Sequence, residues 1–396
     1  MRIALSACLA GWPVRYDGSS KLTRAVQELA AKTEAVCVCP ETSADLPVPR
    51  PPAEQRGNRV WLKNGLEVTA DFERGSQCAL ATVKEFGATL AVLKARSPSC
   101  GVHEIYDGTY SGKVISGEGV FARRLEEEGI CVVTEKTVES VKPSVEHPVA
   151  LVLGTGLGHL ARLVKPVRRI DYRDIDGFPI DAQPVDGHKF EATIGTIDDV
   201  PVVVYPGRVH LYQGYSAAEV TALVQHAHHL GCRDIIFAGA TGSVPGNAGT
   251  GLGIITDQIN LTGTNPLAEW AGLKNVKTPF VDMNDAYSPY LRTLARGVAD
   301  DLGITVEEGI FAGLLGPNFE TPAEVNMLRA MNVSYAGVST ALEVIMARAL
   351  GMNVLGLTLA ANPAGARGTT HKSVLEAAKR YADDFERLVR GILRLL

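Results

Sequence analysis

Ala150-Leu151-Val152-Leu153-Gly154-Thr155-Gly156-Leu157-Gly158 is an apolar, β-rich run that stops on three glycines spaced by single residues. The run reads as a strand and the glycines as a turn opening a helical stretch, where backbone N–H groups can approach an anion. By itself the turn serves a tight bend as readily as a site. Its spacing also lacks the two residues that precede the last glycine of a dinucleotide fingerprint. Outward from this point the same alternation recurs. Arg2 to Ser6, Ala35 to Cys39, Thr89 to Lys94 and Ile130 to Thr134 precede it, and Val200–Tyr205, Asp234–Ala238 and Val354–Leu359 follow. Short β-rich runs alternating with helical stretches predict an α/β protein, with parallel sheet layered by helices in both halves. From Ser373 onward, apolar positions at helical spacing predict one terminal amphipathic helix.

A chain of 396 residues exceeds the usual size of one domain. Glu135 to Pro148 is polar, holds two prolines and lacks an apolar period, so it reads as a linker. The expected division is a first domain over 1–138, a linker at 139–147 and a second domain over 148–396. A net charge of −5 and a pI near 6.0 leave no electrostatic footprint for nucleic acid. Leu5-Ser6-Ala7-Cys8 mimics a lipoprotein cleavage site, but the apolar stretch before it is shorter than a working signal needs. No later stretch approaches a membrane span. The expectation is a cytoplasmic protein without membrane or nucleic-acid partners.

Arg208-Val209-His210-Leu211-Tyr212 follows a strand, and in an extended segment its alternate residues would point one way. Arginine offers a forked donor set that suits phosphate; taken alone, the segment reads more readily as a half-exposed edge strand. The landmarks around it are Gly187-His188, Gly207 to Gly214, Asp257-Gln258-Ile259-Asn260-Leu261, Asn265-Pro266-Leu267, Gly316-Pro317-Asn318-Phe319-Glu320-Thr321, Gly337-Val338-Ser339-Thr340 and Asn362. With the glycine turn they make this half, from about residue 147, resemble the trimeric, low-molecular-mass purine nucleoside phosphorylases. The resemblance implies a phosphorylase/hydrolase-like α/β fold with a central mixed sheet, a homotrimer, and phosphate as co-substrate without any cofactor. It further implies Thr155, Arg208, His210, Ser339 and the backbone N–H of Ala240 as phosphate ligands, with His188 in support. Tyr212, Phe319, Val338 and His371 would meet the nucleoside, Glu320 and Asn362 would read a 6-oxopurine, and Phe280 would reach the neighbouring subunit's site.

Those residue types suit the chemistry. Breaking the glycosidic bond builds positive charge on ribose and negative charge on the purine. A hydrogen bond from Asn362 to N7 would strengthen as that charge gathers. Glu320 would accept from N1–H, a donor that adenine lacks. Four departures from the family pattern bear on rate and preference: Gln213 where Glu is usual, Ala238 to Gly242 in place of Asn-Ala-Ala-Gly-Gly, Val338 where Met is common, and Ala361 where Thr is common. The alternative for this half is a methylthioadenosine phosphorylase, against which Glu320 and Asn362 argue.

Six of the seven cysteines lie in the first 131 residues. Cys37, Cys78, Cys131 and Cys232 read as small core hydrophobes. Cys8, Cys39 and Cys100 instead sit where strands finish, and strand ends on one edge of a parallel sheet converge. Three thiolates there make an iron–sulfur or a zinc site with one position unfilled. Around them stand Cys8-Leu9-Ala10-Gly11, Arg15-Tyr16-Asp17-Gly18, Cys39-Pro40-Glu41, Pro49-Arg50-Pro51-Pro52-Ala53-Glu54, Val68-Thr69-Ala70, Ser97-Pro98-Ser99-Cys100-Gly101 and Ile105-Tyr106-Asp107-Gly108. Residues 1 to about 135 thereby resemble a small bacterial domain family that includes iron–sulfur-dependent thiouracil desulfidases. That resemblance implies a [4Fe–4S] cluster on Cys8, Cys39 and Cys100 and a thionated base as substrate. Glu41 and Ser99 are the candidates for proton handling and substrate orientation; by residue type alone they serve equally as a helix cap and a turn residue. The rival of another class is a non-catalytic redox-sensing module.

Overall fold

Ile3, Ala4 and Leu5 are almost wholly buried, so the first strand, Arg2–Ser6, is a central one with both faces covered. The computed structural model describes residues 1–140, 147–184, 189–269 and 280–396, with the side chains of Ser140, Glu269 and His371 outside that description. Two compact units divide the chain, Met1–Lys142 and Pro143–Arg394.

In the first unit four strands lie in the order Glu34–Val38, Arg2–Ser6, Leu90–Leu93 and Cys131–Thr134, every pair parallel. The chain leaves the first strand for one neighbour and then crosses to the other. Such a reversal opens a crevice at the carboxyl ends of the two inner strands. Helices Thr69–Phe86 and Val120–Glu127 cover the sheet through Ala79, Leu80, Val83, Phe121 and Leu125. Gly75 lets the first of these approach the Cys39–Glu41 loop, because a Cβ there would collide with the Pro40 carbonyl oxygen.

The segment expected to be linker begins instead as a helix, Glu135–Ser140. Glu135 is buried and bonds Lys94 Nζ (2.6 Å) and the Ala95 N–H (2.8 Å). Residues 141–146, the rest of that linker except its last residue, lie outside the described residues. Of the four cysteines read as core, Cys232 is buried, Cys37 and Cys131 are half-buried, and Cys78 is exposed. Cys78 falls on the solvent side of its helix, where Ala79, Leu80 and Val83 face inward.

The second unit carries a mixed nine-stranded sheet. Its order is Lys165–Asp171, Glu191–Ile197, Val200–Tyr205, Val149–Leu153, Asp234–Ser243, Val333–Gly337, Val306–Gly313, Gly251–Asn260 and Asn353–Pro363. The last strand also pairs with Asp234–Ser243, in parallel from Asp234↔Asn353 to Ser243↔Pro363. Five strands therefore close into a ring, as in a barrel. The expected single terminal helix is two, His371–Arg380 and Ala382–Leu395. Tyr381 leaves helical geometry between them (φ −109°, ψ 3°) and its N–H bonds Ala378 O, a tighter turn than the α-helix allows. Among the described residues, no helix is long and apolar enough to cross a membrane.

Candidate active sites

In the second unit, Asp234–Ser243 pairs with Val149–Leu153 only as far as Ala238, and with Val333–Gly337 only from Gly242. Gly239, Ala240 and Thr241 thus have no ladder partner on that side among the described residues. The gap is closed at its lower end by the glycine turn, whose Gly154 N–H donates to Ala238 O (2.7 Å). Arg208 sits at the junction. Its side chain is 1% exposed, and Nη2 donates to Ala238 O at 3.1 Å. A Cβ on Gly154 would lie 3.1 Å from that same nitrogen, and one on Gly239 3.7 Å. These glycines let two backbone segments close on one guanidinium. Gly156 takes φ +83°, and a Cβ there would collide with Ala378, so the turn also packs on the helix that His371 opens. Thr155 between them is partly buried.

Contrary to the expected extended segment, Leu211–Gln213 after Arg208 is a 3-10 turn. The turn still brings His210 and Tyr212 together, stacked at 5.0 Å. Gln213 ties the turn back: its Oε1 accepts from the His210 N–H (3.0 Å) and lies 3.2 Å from His210 Nδ1. An amide oxygen only accepts, so this contact places a proton on Nδ1.

Arg208 Nη1 donates to Glu343 Oε2 at 2.7 Å, and that oxygen also accepts from the Thr340 N–H at 2.7 Å. The buried carboxylate joins Arg208 to the turn carrying Ser339. Nearby, a Cβ on Gly316 would meet Val338 (2.7 Å) and Tyr212 (3.7 Å), so these three converge. Glu320 lies by the loop after the last strand; burial raises its carboxyl above the usual range, opposed by the backbone N–H groups of Glu320 and Gly365. Asn362 is the penultimate residue of that strand and donates to its neighbour Pro363 O (3.0 Å). Phe319 is half exposed and Phe280 is 91% exposed. His188 lies outside the described residues, as does the His371 side chain.

In the first unit, Cys8, Cys39 and Cys100 all line one cavity of about 550 Å³ at the sheet reversal, with Ser6, Lys94, Glu41, Arg50 and Glu54. Burial, and then the neighbouring Cys39, push the Cys8 thiol up to about 12, against Lys94 and Arg15. Burial also raises the Cys100 thiol well above its ordinary range. Three soft thiols share this polar cavity with six cationic side chains, Arg15, Lys21, Arg50, Lys63, Lys94 and Arg96, a lining that suits a group that binds thiolates and brings negative charge. No His, Cys, Asp or Glu group among the described residues is gathered so as to hold a metal ion.

Glu41 is held at both oxygens. Arg50 donates to Oε2 through Nε (2.8 Å) and Nη2 (2.5 Å), and the Ser99 hydroxyl donates to Oε1 (3.1 Å). Ser99 is fully buried and does not line the cavity; it touches Glu41 from behind. Glu54, also buried, accepts from the Tyr110 N–H at 2.8 Å. Sequence reading assigned no role to Arg50, Glu54, Lys94, Glu135 or Glu343. Arg50 and Glu54 stand in the quoted proline-rich motif, which was the available signal; the other three pair across long separations.

A family model described as 2-thiouracil desulfurase matches residues 3–137, and one described as phosphorylase superfamily matches residues 148–394. Over 250 residues the chain is 40% identical to purine nucleoside phosphorylase 1 of Geobacillus stearothermophilus, covering 62% of this chain and 90% of that one. It is 38% identical to purine nucleoside phosphorylase 1 of Bacillus subtilis (strain 168), covering 62% and 91%. The solved Schistosoma mansoni purine nucleoside phosphorylase in complex with adenosine is similar with a TM-score of 0.57 and 29% identity, over 65% of this chain and 94% of that one.

Proposed function

We infer that this chain, which belongs to the phosphorylase superfamily through residues 148–394, splits 6-oxopurine nucleosides with inorganic phosphate and carries a second activity that removes sulfur from thionated bases. The observation that supports the first activity best is the closure of the Gly154 turn, the ladder gap at Gly239–Thr241 and the Ser339 turn around the buried Arg208. Backbone donors fixed by two strands need no reorganisation when an oxyanion arrives. Phosphate held there attacks C1′ as the bond to N9 breaks, and ribose 1-phosphate and the free base leave. Asn362 steadies the charge arriving at N7 and Glu320 accepts from N1–H, which favours inosine and guanosine over adenosine. Tyr212, Val338, Phe319 and His371 enclose the nucleoside, and Phe280 serves a neighbouring copy in a homotrimer.

In the first unit Cys8, Cys39 and Cys100 would hold a [4Fe–4S] cluster. When bound, it would supply an iron without a protein thiolate as a Lewis acid for thiocarbonyl sulfur. The net reaction is hydrolysis: water provides the carbonyl oxygen, and the sulfur leaves with two protons as hydrogen sulfide. Glu41, fixed by Arg50 and Ser99, takes a proton from that water, and Ser99 is a positioning residue. Lys94 offsets negative charge in the cavity.

The test is anaerobic purification, a visible spectrum, phosphate-dependent assays on inosine, guanosine and adenosine, and sulfide release from thiouracils and thiopurines. Inosine and guanosine should turn over faster than adenosine; the reverse would overturn the base-site assignment. An intact cluster with no sulfide from any of these compounds would sink the desulfidase reading for them.

A further inference from the structure

We propose that Glu343 is a positioning residue that locks the two sides of the phosphate site, Arg208 and the Ser339–Thr340 turn, into one rigid unit. The inference rests on the phosphorolysis reading of this unit.

Helix Ala341–Ala349 is entered through a backbone conformation that β-branched residues avoid. Thr340 has φ 73° and ψ −49°, and the Ala341 N–H reaches back to Ser339 O at 2.8 Å. This is the strained, left-handed γ-turn. Such a turn persists only where its surroundings enforce it, and what holds this one is Glu343 Oε2, which accepts the Thr340 N–H at 2.7 Å. The same oxygen accepts Arg208 Nη1, also at 2.7 Å. One carboxylate oxygen therefore couples the guanidinium to the Ser339–Thr340 turn.

Helix capping alone does not require this arrangement. Two other capping boxes in this unit, Ser216 with Glu219 and Thr321 with Glu324, use the same residue pattern. There the carboxylates are partly or fully exposed and grip only their own cap. Glu343 alone among these three is wholly buried and tied to an arginine 135 residues away. Its Oε1 has no hydrogen-bond partner among the described residues, an arrangement a merely stabilising carboxylate would not favour. Because Glu343 neutralises Arg208, the pair presents oriented N–H groups more than net charge. Phosphate recognition then depends on geometry, which is what Glu343 supplies.

The experiment uses the full chain and measures inorganic phosphate binding by calorimetry, together with separate KM values for phosphate and inosine. Glu343→Gln should weaken phosphate binding and raise the phosphate KM at least tenfold, with the inosine KM within twofold. Glu343→Asp, which keeps the charge but shortens the reach, should recover part of the loss and carries the test if the glutamine variant does not fold. In an Arg208→Lys background Glu343→Gln should add little further loss. A residue acting only on stability would lower the melting temperature and the active fraction while leaving phosphate affinity of the folded enzyme unchanged. That result, equal weakening of both KM values, or an undiminished effect in the Arg208→Lys background would overturn the proposal. A wild-type chain that neither binds phosphate nor cleaves inosine would instead sink the underlying reading.

Discussion

In the first half four parallel strands stop side by side, and the site consists of side chains on the loops beyond them: three thiols, a clamped carboxylate and a lysine paired with a buried glutamate. In the second half the site lies within the sheet, where one long strand loses its neighbour for three residues and the backbone itself faces the gap. The first arrangement suits a site that must receive an outside group before its charges balance. The second is balanced as it stands, since Arg208 and Glu343 cancel within a closed shell of carbonyls. One fold class thus carries one candidate site whose lining suits loading by an outside group and one organised in advance.

The sharpest way to break this comparison is to disable each half and assay the other. Arg208→Ala should lower kcat/KM for phosphorolysis by about 10²–10³-fold and, by stranding Glu343, destabilise its unit by about 3–5 kcal/mol. Sulfide release should persist. Cys100→Ser should abolish sulfide release and the visible absorption of a reconstituted sample while inosine cleavage continues. Loss of both activities in either variant would mean that the halves are not independent sites.

Gly75→Ala tests whether the first site depends on its loop. The added Cβ meets Pro40 O and Ala44, so the Cys39–Glu41 loop must shift, at roughly 1–3 kcal/mol of overpacking. Cluster retention and sulfide release should fall; a fully loaded, fully active variant would show that the loop position is unimportant.

Asp234, buried at the start of the long strand, has its carboxyl raised to about 7, by burial first and against the hydrogen bond from Asn353. The folded state therefore prefers the protonated form. Stability is fully present below the ordinary carboxyl range and is lost as pH rises toward 7, by an amount on the order of a few kcal/mol. Asp234→Asn cannot ionise, and its melting temperature should exceed that of the parent more at pH 8 than at pH 4. An equal difference at both would contradict this.

The smallest effect expected is at Gln213. Gln213→Glu should favour the charged imidazole of His210 and extend phosphate binding to higher pH by a few-fold; an unchanged pH profile of the phosphate KM would show that the contact does not tune the ring.

The strand–helix alternation and the cysteines at strand ends were legible because each depends on local pattern: apolar runs of fixed length, then a turn. The missed features pair residues that carry no local sign of each other. Lys94 and Glu135 both read as surface charges 41 residues apart, and Glu135 made its helix look like linker. Glu343 reads as an ordinary cap residue until Arg208 is brought against it. The ring closure between Asp234–Ser243 and Asn353–Pro363 joins positions 119 apart at Asp234↔Asn353, and nothing in either strand announces it. Tyr381 splits the last helix without a proline or glycine to mark the break.

Closure of that ring also changes what the sheet offers to other proteins. An open sheet of nine strands would present two unpaired borders, each a template for aggregation. Here one end pairs back onto Asp234–Ser243, leaving Lys165–Asp171 as the single border among the described residues. That strand carries Lys165, Pro166, Arg168 and Arg169 and breaks register between Pro166 and Arg168. Proline, like charges and an irregular ladder are what discourage another chain from adding on. Crowded copies of this enzyme would meet at a border that refuses strand exchange.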